Sequence, residues 1–213
     1  MDNDRVKGYL SQAKPMNSLK NIMGISLLLG LFCLAGIAGD KQPKESLKRI
    51  MHRVQAGVAD SNGWYVAEST NGKFKVRLPE QFNDFEVTGV DEHDTNQENH
   101  IVGTLLPDKT KYSASLIVQP AAQVRQRFDD FANSFKQAGP LKGSRKIQYH
   151  RHEALEVTVG DKKRSAVMRS IIGNKGLFLL IVEFDTDKQT QLIGQIKTFL
   201  ESLDFPSDES EKL

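Results

Sequence analysis

The chain has 213 residues, with 29 Lys and Arg against 27 Asp and Glu, and a single cysteine. Residues 1–38 carry four of the positive and two of the negative charges, so 25 of each sign remain beyond them. That balance excludes the broad basic surface that binds nucleic acid by counterion release, and one cysteine excludes a disulfide framework.

The first feature along the chain is the run "MNSLKNIMGISLLLGLFCLAGIAGDKQ", beginning at Met16. Lys20 heads an uncharged stretch from Asn21 to Gly39, which closes on the small residues Ala35, Gly36, Ala38 and Gly39. This is the order of a secretory signal peptide, with Gly36 and Ala38 placed for a cut after Ala38. Read from Met1 the polar head is unusually long, which points to Met16 as the start. The competing reading is a retained membrane anchor, since a span needs about 20 apolar residues. Against it, four glycines dilute the run, and basic residues flank it on both sides, so the positive-inside rule sets no orientation. Phe32 before Cys33 does not suit lipoprotein processing. Residues 1–39 are therefore expected to be a signal peptide or an anchor. Either way the chain is exported, periplasmic or held on the outer face of the inner membrane, and it touches membrane only through this segment if uncleaved.

Residues 40–62 read as an amphipathic helix or linker. In "KQPKESLKRIMHRVQAGVADSNG", Leu47, Ile50, Met51, Val54 and Val58 recur at helical spacing after Pro43, with basic residues opposite. From Gly63 the period changes to two. "GWYVAES" and "FKVRLP" flank "TNGK", whose Asn71-Gly72 pair signals a two-residue hairpin, and Phe74, Val76 and Leu78 alternate with Lys75 and Arg77. "FEVTGV", "HIVGTLLP" and "YSASLIVQP" follow as strands, with the polar "DEHDTNQENH" as a loop between the first two. "AAQVRQRFDDFANSFKQAG" is helical, its stripe being Val124, Phe128, Phe131 and Phe135, and Gly139-Pro140 ends it. The strands "KIQYHRHEALEVTV", "RSAVMRSIIG" and "LFLLIVEF" come next, the last two joined by "GNKG". "DKQTQLIGQIKTFLESL" closes the chain as a helix with Leu192, Ile196, Phe199 and Leu203 inward, and residues 206–213 form a polar tail expected to be disordered.

"LFLLIVEF" is apolar on both of its faces, from Leu177 to Phe184, so it has to be covered on both. Hairpin-linked strands with helices able to cover each side predict an α+β fold, a mostly antiparallel sheet with helices on both faces.

The pattern "NGKFKVRLPEQF" resembles the opening hairpin of the PsbP-like fold, and "HEALEVTV…RSAVMRSIIGNKGLFLLIVEF…LIGQIKTFLESLDF" is similar to its closing hairpin and C-terminal helix. The likeness spans residues 63–205 and lies in element order and hydrophobic spacing, with "F-x-V-x-L-P" and "F-L-x-S-L" as local tags. It implies a PsbP-like α/β/α sandwich over 63–205, in a family of binding and assembly proteins.

Several residues are candidates for chemistry. His150 and His152 in "YHRHE" stand two apart, so on one strand both would face one way and could hold a divalent ion with a third ligand. The plainer reading is a pair of surface histidines. "DEHDTNQENH" gathers Asp91, Glu92, His93, Asp94, Glu98 and His100, but matches no EF-hand spacing and reads as a solvated loop. Asp161 to Arg164, "DKKR", form a basic turn suited to acidic lipid, a partner or plain solvent. No nucleophile elbow, phosphate loop or H-E-x-x-H motif is present, so the chain does not read as an enzyme and no cofactor is implied. Trp64 and Tyr65 open the first strand after the linker, where they pack on the core or anchor a partner protein, a role in which such aromatics are favoured. Three functions follow in order: an exported non-enzymatic protein-binding or assembly factor; an exported protein binding a divalent metal or small ligand through His150, His152 and the acidic loop; and a hydrolase assembled from residues such as Ser165, His150 and Asp161.

Overall fold

A computed structural model describes residues 48–90, 96–138 and 140–206. Ten strands run in the order β1 (Lys48–Ala56), β2 (Tyr65–Glu68), β3 (Lys75–Leu78), β4 (Phe82–Val90), β5 (Asn96–Leu105), β6 (Lys111–Val118), β7 (Leu141–Tyr149), β8 (His152–Gly160), β9 (Arg164–Ile172) and β10 (Gly176–Asp185). Helix α1 (Ala121–Ala138) lies between β6 and β7, and a 3-10 turn leads into helix α2 (Gln189–Leu200) after β10. Eight strands form one sheet in the order β1-β4-β5-β6-β10-β9-β8-β7, and β2 pairs only with β3. Every pairing is antiparallel. The sheet is two meanders, and α1 carries the chain from β6 to the far edge. The second meander then works back until β10 closes against β6.

That route puts β10 in the middle, and its composition follows from the position. Phe178, Leu180, Val182 and Phe184 join one core cluster with Leu192, Ile196 and Phe199 of α2, Val76 and Leu78 of β3, Phe74, and Tyr112, Ala114 and Leu116 of β6. Leu177, Leu179 and Ile181 alternate with them and are buried on the opposite face. Helix α1 packs against β8, β9 and β10 with Val124 and Phe128 buried outside that cluster, so the two helices take opposite faces. The close fit of β10 begins at Gly176, where a Cβ would stand 2.0 Å from the Ile117 carbonyl oxygen.

The end of α2 is fastened by Arg169 of β9, which is 2% exposed. Its guanidinium donates to Glu156 at 3.2 and 2.7 Å, to Glu201 at 2.8 Å and to the Leu200 carbonyl at 2.8 Å. It also lies 5.2 Å from the centre of the Tyr149 ring, a cation–π contact. Burial pushes the Tyr149 hydroxyl up to about 12, and that hydroxyl donates to the Leu203 carbonyl at 3.0 Å.

Four sequence expectations are corrected. Lys48–Ala56 is not helical but the edge strand β1, paired with β4 through register shifts at Met51/Arg53 and Arg53/Ala56. The shifts break strict alternation, which is why its apolar residues mimic a helical period; pairing with the otherwise open edge of β4 overrides local preference. The β2–β3 connection spans Ser69 to Phe74, and its left-handed residue is Lys73, at φ 58°, rather than Gly72. The last five residues of "DEHDTNQENH" are the start of β5, while 91–95 lie outside the described residues. "KIQYHRHEALEVTV" is not one strand: His150, in the left-handed region at φ 52°, turns β7 into β8. The predicted leader over 1–39 and the tail from 207 onward also lie outside the described residues. Among those described, no helix is long and apolar enough to cross a membrane.

Candidate functional site

The turn at His150 separates the two histidines predicted to share a face. His150 is exposed, its ring edge-on to Tyr149 with centroids 4.7 Å apart. His152 opens β8, donates from Nδ1 to the Ile172 carbonyl at 2.8 Å, and lies against the Phe205 ring at 4.3 Å. Both imidazoles thus border the aromatic ring of Phe205, and among the described residues no three His, Cys, Asp or Glu are placed to hold a metal ion.

Trp64 and Tyr65 are both half-buried and packed against the core cluster. The backbone at Trp64 is pinned by Asp60, whose Oδ1 accepts from the amides of Trp64 at 3.0 Å and Asn62 at 2.8 Å. These bonds hold the Asp60 carboxyl below its ordinary range. An antiparallel bridge pairs Ala59 with Tyr65, which sets Val58 opposite Val66. Both valines point outward, 88% and 51% exposed. Beside them Arg77 pairs with Asp60 at 3.4 Å.

A second grouping was not legible as a site in the sequence. On the face covered by the β2–β3 loop, β1, β4 and β5 present His52, Glu86, His100 and Glu98. Register places Glu86 directly opposite His100. His100 is 5% exposed, with Nε2 3.0 Å from Glu98 Oε1 and Nδ1 3.7 Å from Glu86 Oε2. His52 Nε2 approaches the same Glu86 oxygen from β1 at 3.5 Å. Asn71 of the β2–β3 loop donates to that oxygen at 2.6 Å. One step along β4, the buried Asp84 accepts from Arg53 at 3.0 Å and from the backbone amide and hydroxyl of Thr70, while Arg53 also donates to the Glu68 carbonyl. Gly72 is required here, since a Cβ on it would stand 2.9 Å from His100 Cβ and from the Phe74 ring. The one sequence signal was the alternation in "FNDFEVTGV", which sets Asp84, Glu86 and Thr88 on one face of a strand otherwise apolar at Phe85 and Val87.

Of the residues named for a hydrolase, Ser165 and Asp161 share the β8–β9 turn, but His150 sits at the other end of β8. A strand of nine residues lies between, roughly 27 Å of extended chain. Ser165 is buried and bonded to Lys142 Nζ at 2.8 Å and Thr186 Oγ1 at 2.8 Å. Asp161 accepts from the amides of Lys163 at 2.7 Å and Arg164 at 2.8 Å, which hold its carboxyl below the ordinary range and order the basic turn.

No family model matches the chain, and no curated protein matches it. Among solved structures it is similar to LpqN of Mycobacterium tuberculosis, a protein involved in cell envelope biogenesis, at 14% identity and a TM-score of 0.33, over 76% of this chain and 84% of that one. It is also similar to the cyanobacterial PsbP of Synechocystis sp. PCC 6803, at 14% identity and a TM-score of 0.30, over 80% of this chain and 98% of that one. A PsbP therefore stands among the structures this chain is similar to, as the sequence resemblance implied. Likenesses this loose carry nothing about activity or partner.

Proposed function

We propose that this chain is an exported, non-catalytic domain that binds a protein partner through the surface formed by Val58, Trp64 and Val66. The observation that carries the reading is the pair of outward valines, in register across the Ala59–Tyr65 bridge and next to the chain's one tryptophan. A half-buried indole with apolar neighbours and an ion pair at its rim matches the make-up of binding hot spots, which favour Trp and Arg. The Trp64 backbone is already ordered by Asp60, so its side chain meets a partner without a large entropy cost. Export rests on the hydrophobic run after Met16 and on the absence of cysteine beyond it.

The test uses the full-length chain in its host. Affinity purification followed by mass spectrometry compares wild type with a Val58→Glu/Val66→Glu variant, both checked for the same melting temperature. A partner that copurifies with wild type and is lost from the variant is expected. An identical set of copurifying proteins overturns the assigned surface. Export is read separately from an alkaline phosphatase fusion, which stays inactive if the chain remains in the cytoplasm.

A further inference from the structure

The chain holds the dipeptide Asn-Gly twice, at Asn62-Gly63 and at Asn71-Gly72. In this pair asparagine loses its side-chain amide most readily, because glycine has no side chain to shield its own nitrogen. That nitrogen, once its proton has left, attacks Cγ of the asparagine. The bond from Cγ to the carboxamide nitrogen breaks, ammonia leaves, and a five-membered succinimide remains. Water then opens the ring at either carbonyl, giving aspartate or isoaspartate. The step needs no oxidant or reductant, only water.

The two pairs sit in opposite surroundings. Asn71 commits its carboxamide to Glu86 at 2.6 Å, and the Gly72 amide donates to Ser69 Oγ at 3.1 Å. Gly72 is buried, and a Cβ on it would stand 2.9 Å from His100 Cβ and from the Phe74 ring. The loop around it is tied down again by Thr70 on Asp84 and by Arg53 on the Glu68 carbonyl. Asn62 and Gly63 are both exposed, and a Cβ on Gly63 would meet nothing within 4 Å. The bonds of that turn run from the backbone: the Asn62 and Trp64 amides donate to Asp60 Oδ1, and the Gly63 amide donates to the Asp60 carbonyl at 2.9 Å. The Asn62 carboxamide takes no part in them. One backbone bond in an exposed turn holds the attacking nitrogen, and such turns are among the first parts of a fold to open.

We propose that Asn62 is a self-modifying site, deamidated spontaneously in the folded protein while Asn71 is protected, and that its conversion unseats Trp64. Asp60 Oδ1 reaches two amides at once, those of Asn62 at 2.8 Å and Trp64 at 3.0 Å. Isoaspartate adds a main-chain methylene between those two amides, so one oxygen no longer spans both. Aspartate instead sets a new carboxylate two residues from Asp60, the acid that Arg77 pairs with. Either product disturbs the turn that orders the Trp64 backbone. The surface of Val58, Trp64 and Val66 therefore changes with the age of the protein, and only that consequence for a partner rests on the binding reading.

The experiment incubates the full-length protein in mild detergent at mildly alkaline pH and follows both asparagines by peptide mass spectrometry. Cleavage after Glu68 separates them, and a parallel sample in guanidinium chloride gives the two rates without structure. In the folded protein Asn62 is expected to convert at least about tenfold faster than Asn71, the rate equivalent of about 1.4 kcal/mol. In guanidinium chloride the two rates should nearly agree. Trp64, the only tryptophan, reports on the turn. Its emission is expected to shift as Asn62 converts, and to stay constant over the same incubation in Asn62→Ser, which cannot form the succinimide. Equal rates at the two sites in the folded protein overturn the proposal, as does an Asn62 that stays intact while the denatured chain reacts. An unchanged Trp64 spectrum in fully converted protein overturns the link to the surface. None of these measurements needs a partner, so their outcome is distinct from a failure of the copurification test.

Discussion

Arg169→Met tests whether α2 is held to the sheet by the ion network at its end. The side chain is 2% exposed, so methionine fills most of its volume and the loss is chiefly of its polar contacts. Glu156 keeps Arg145, which donates to it at 3.0 and 2.7 Å, so its charge is not orphaned. Losing the charged bonds from Arg169 to Glu156 costs about 1.5–3 kcal/mol. Glu201 is half exposed and returns to water, a loss of at most about 1 kcal/mol. The Leu200 carbonyl loses a buried donor, roughly another 1 kcal/mol. The sum, about 2.5–5 kcal/mol, overlaps the range for breaking a buried ion pair and is a large share of a domain's usual 5–15 kcal/mol. Urea unfolding followed by Trp64 fluorescence measures it. The difference also has a pH signature. Burial pushes the Glu156 carboxyl up, but its bonds to Arg169 and Arg145 outweigh that and hold it below its ordinary value. The stability so gained is present above the ordinary glutamate pKa of about 4.3 and is lost as pH falls through the depressed value. The gap between wild type and variant should therefore narrow in acid. A gap under about 1 kcal/mol at neutral pH would refute the reasoning, since the network would then be no stronger than a surface pair.

Phe178→Ala removes a fully buried ring that meets Phe74 edge-on at 5.7 Å and Phe205 at 5.2 Å, and is expected to cost about 3–5 kcal/mol by chemical denaturation. Gly176→Ala, which drives a Cβ into the Ile117 carbonyl, should leave little folded protein, whereas Gly143→Ala on the exposed edge strand β7 meets nothing within 4 Å and should change stability by less than about 1 kcal/mol. Burial pushes the Glu183 carboxyl up against the opposing pull of Lys111 and Arg164. Its ionised form is therefore held at a cost, and Glu183→Gln should raise the melting temperature at neutral pH. That gain should vanish below about pH 4, where the wild-type carboxyl is already protonated.

The parts of the fold legible in the sequence are those whose cause is local. The two-faced apolar run of β10 demanded cover on both sides, and α1 and α2 supply it at Val124, Phe128, Leu192 and Ile196. The turn "GNKG" between β9 and β10 was equally plain. What escaped has its cause elsewhere in the chain. β1 is a strand because β4 offers an edge some thirty residues on, and nothing within Lys48–Ala56 announces that. His150 takes a left-handed conformation, which histidine adopts more often than most residues but too seldom to announce a turn, so one long strand was read where a hairpin stands. Glu98 and His100 looked solvated because a run of polar residues is usually loop. Only the register with β4 pairs them with that strand and turns His100 inward, and register is a property of a pair of strands.

The β2–β3 hairpin is where these threads meet. One end is tied to the sheet by Thr70 on Asp84 and Asn71 on Glu86. Along its other side it is tied to the segment after α2: Lys75 and Asp204 exchange backbone bonds at 2.9 and 2.8 Å, and the Arg77 amide donates to Ser202 Oγ at 2.8 Å. Its inward residues, Ala67, Val76 and Leu78, belong to the core. Its outward residues are charged at Glu68, Lys75 and Arg77, as a solvated face should be, and Val66 breaks that rule. A single exposed valine needs no explanation on a protein surface. A second one opposite it in register, with the only tryptophan alongside, is a small apolar patch on a hairpin clamped at both ends. A rigid support of that kind suits a binding surface, because little conformational freedom is left to lose when a partner arrives.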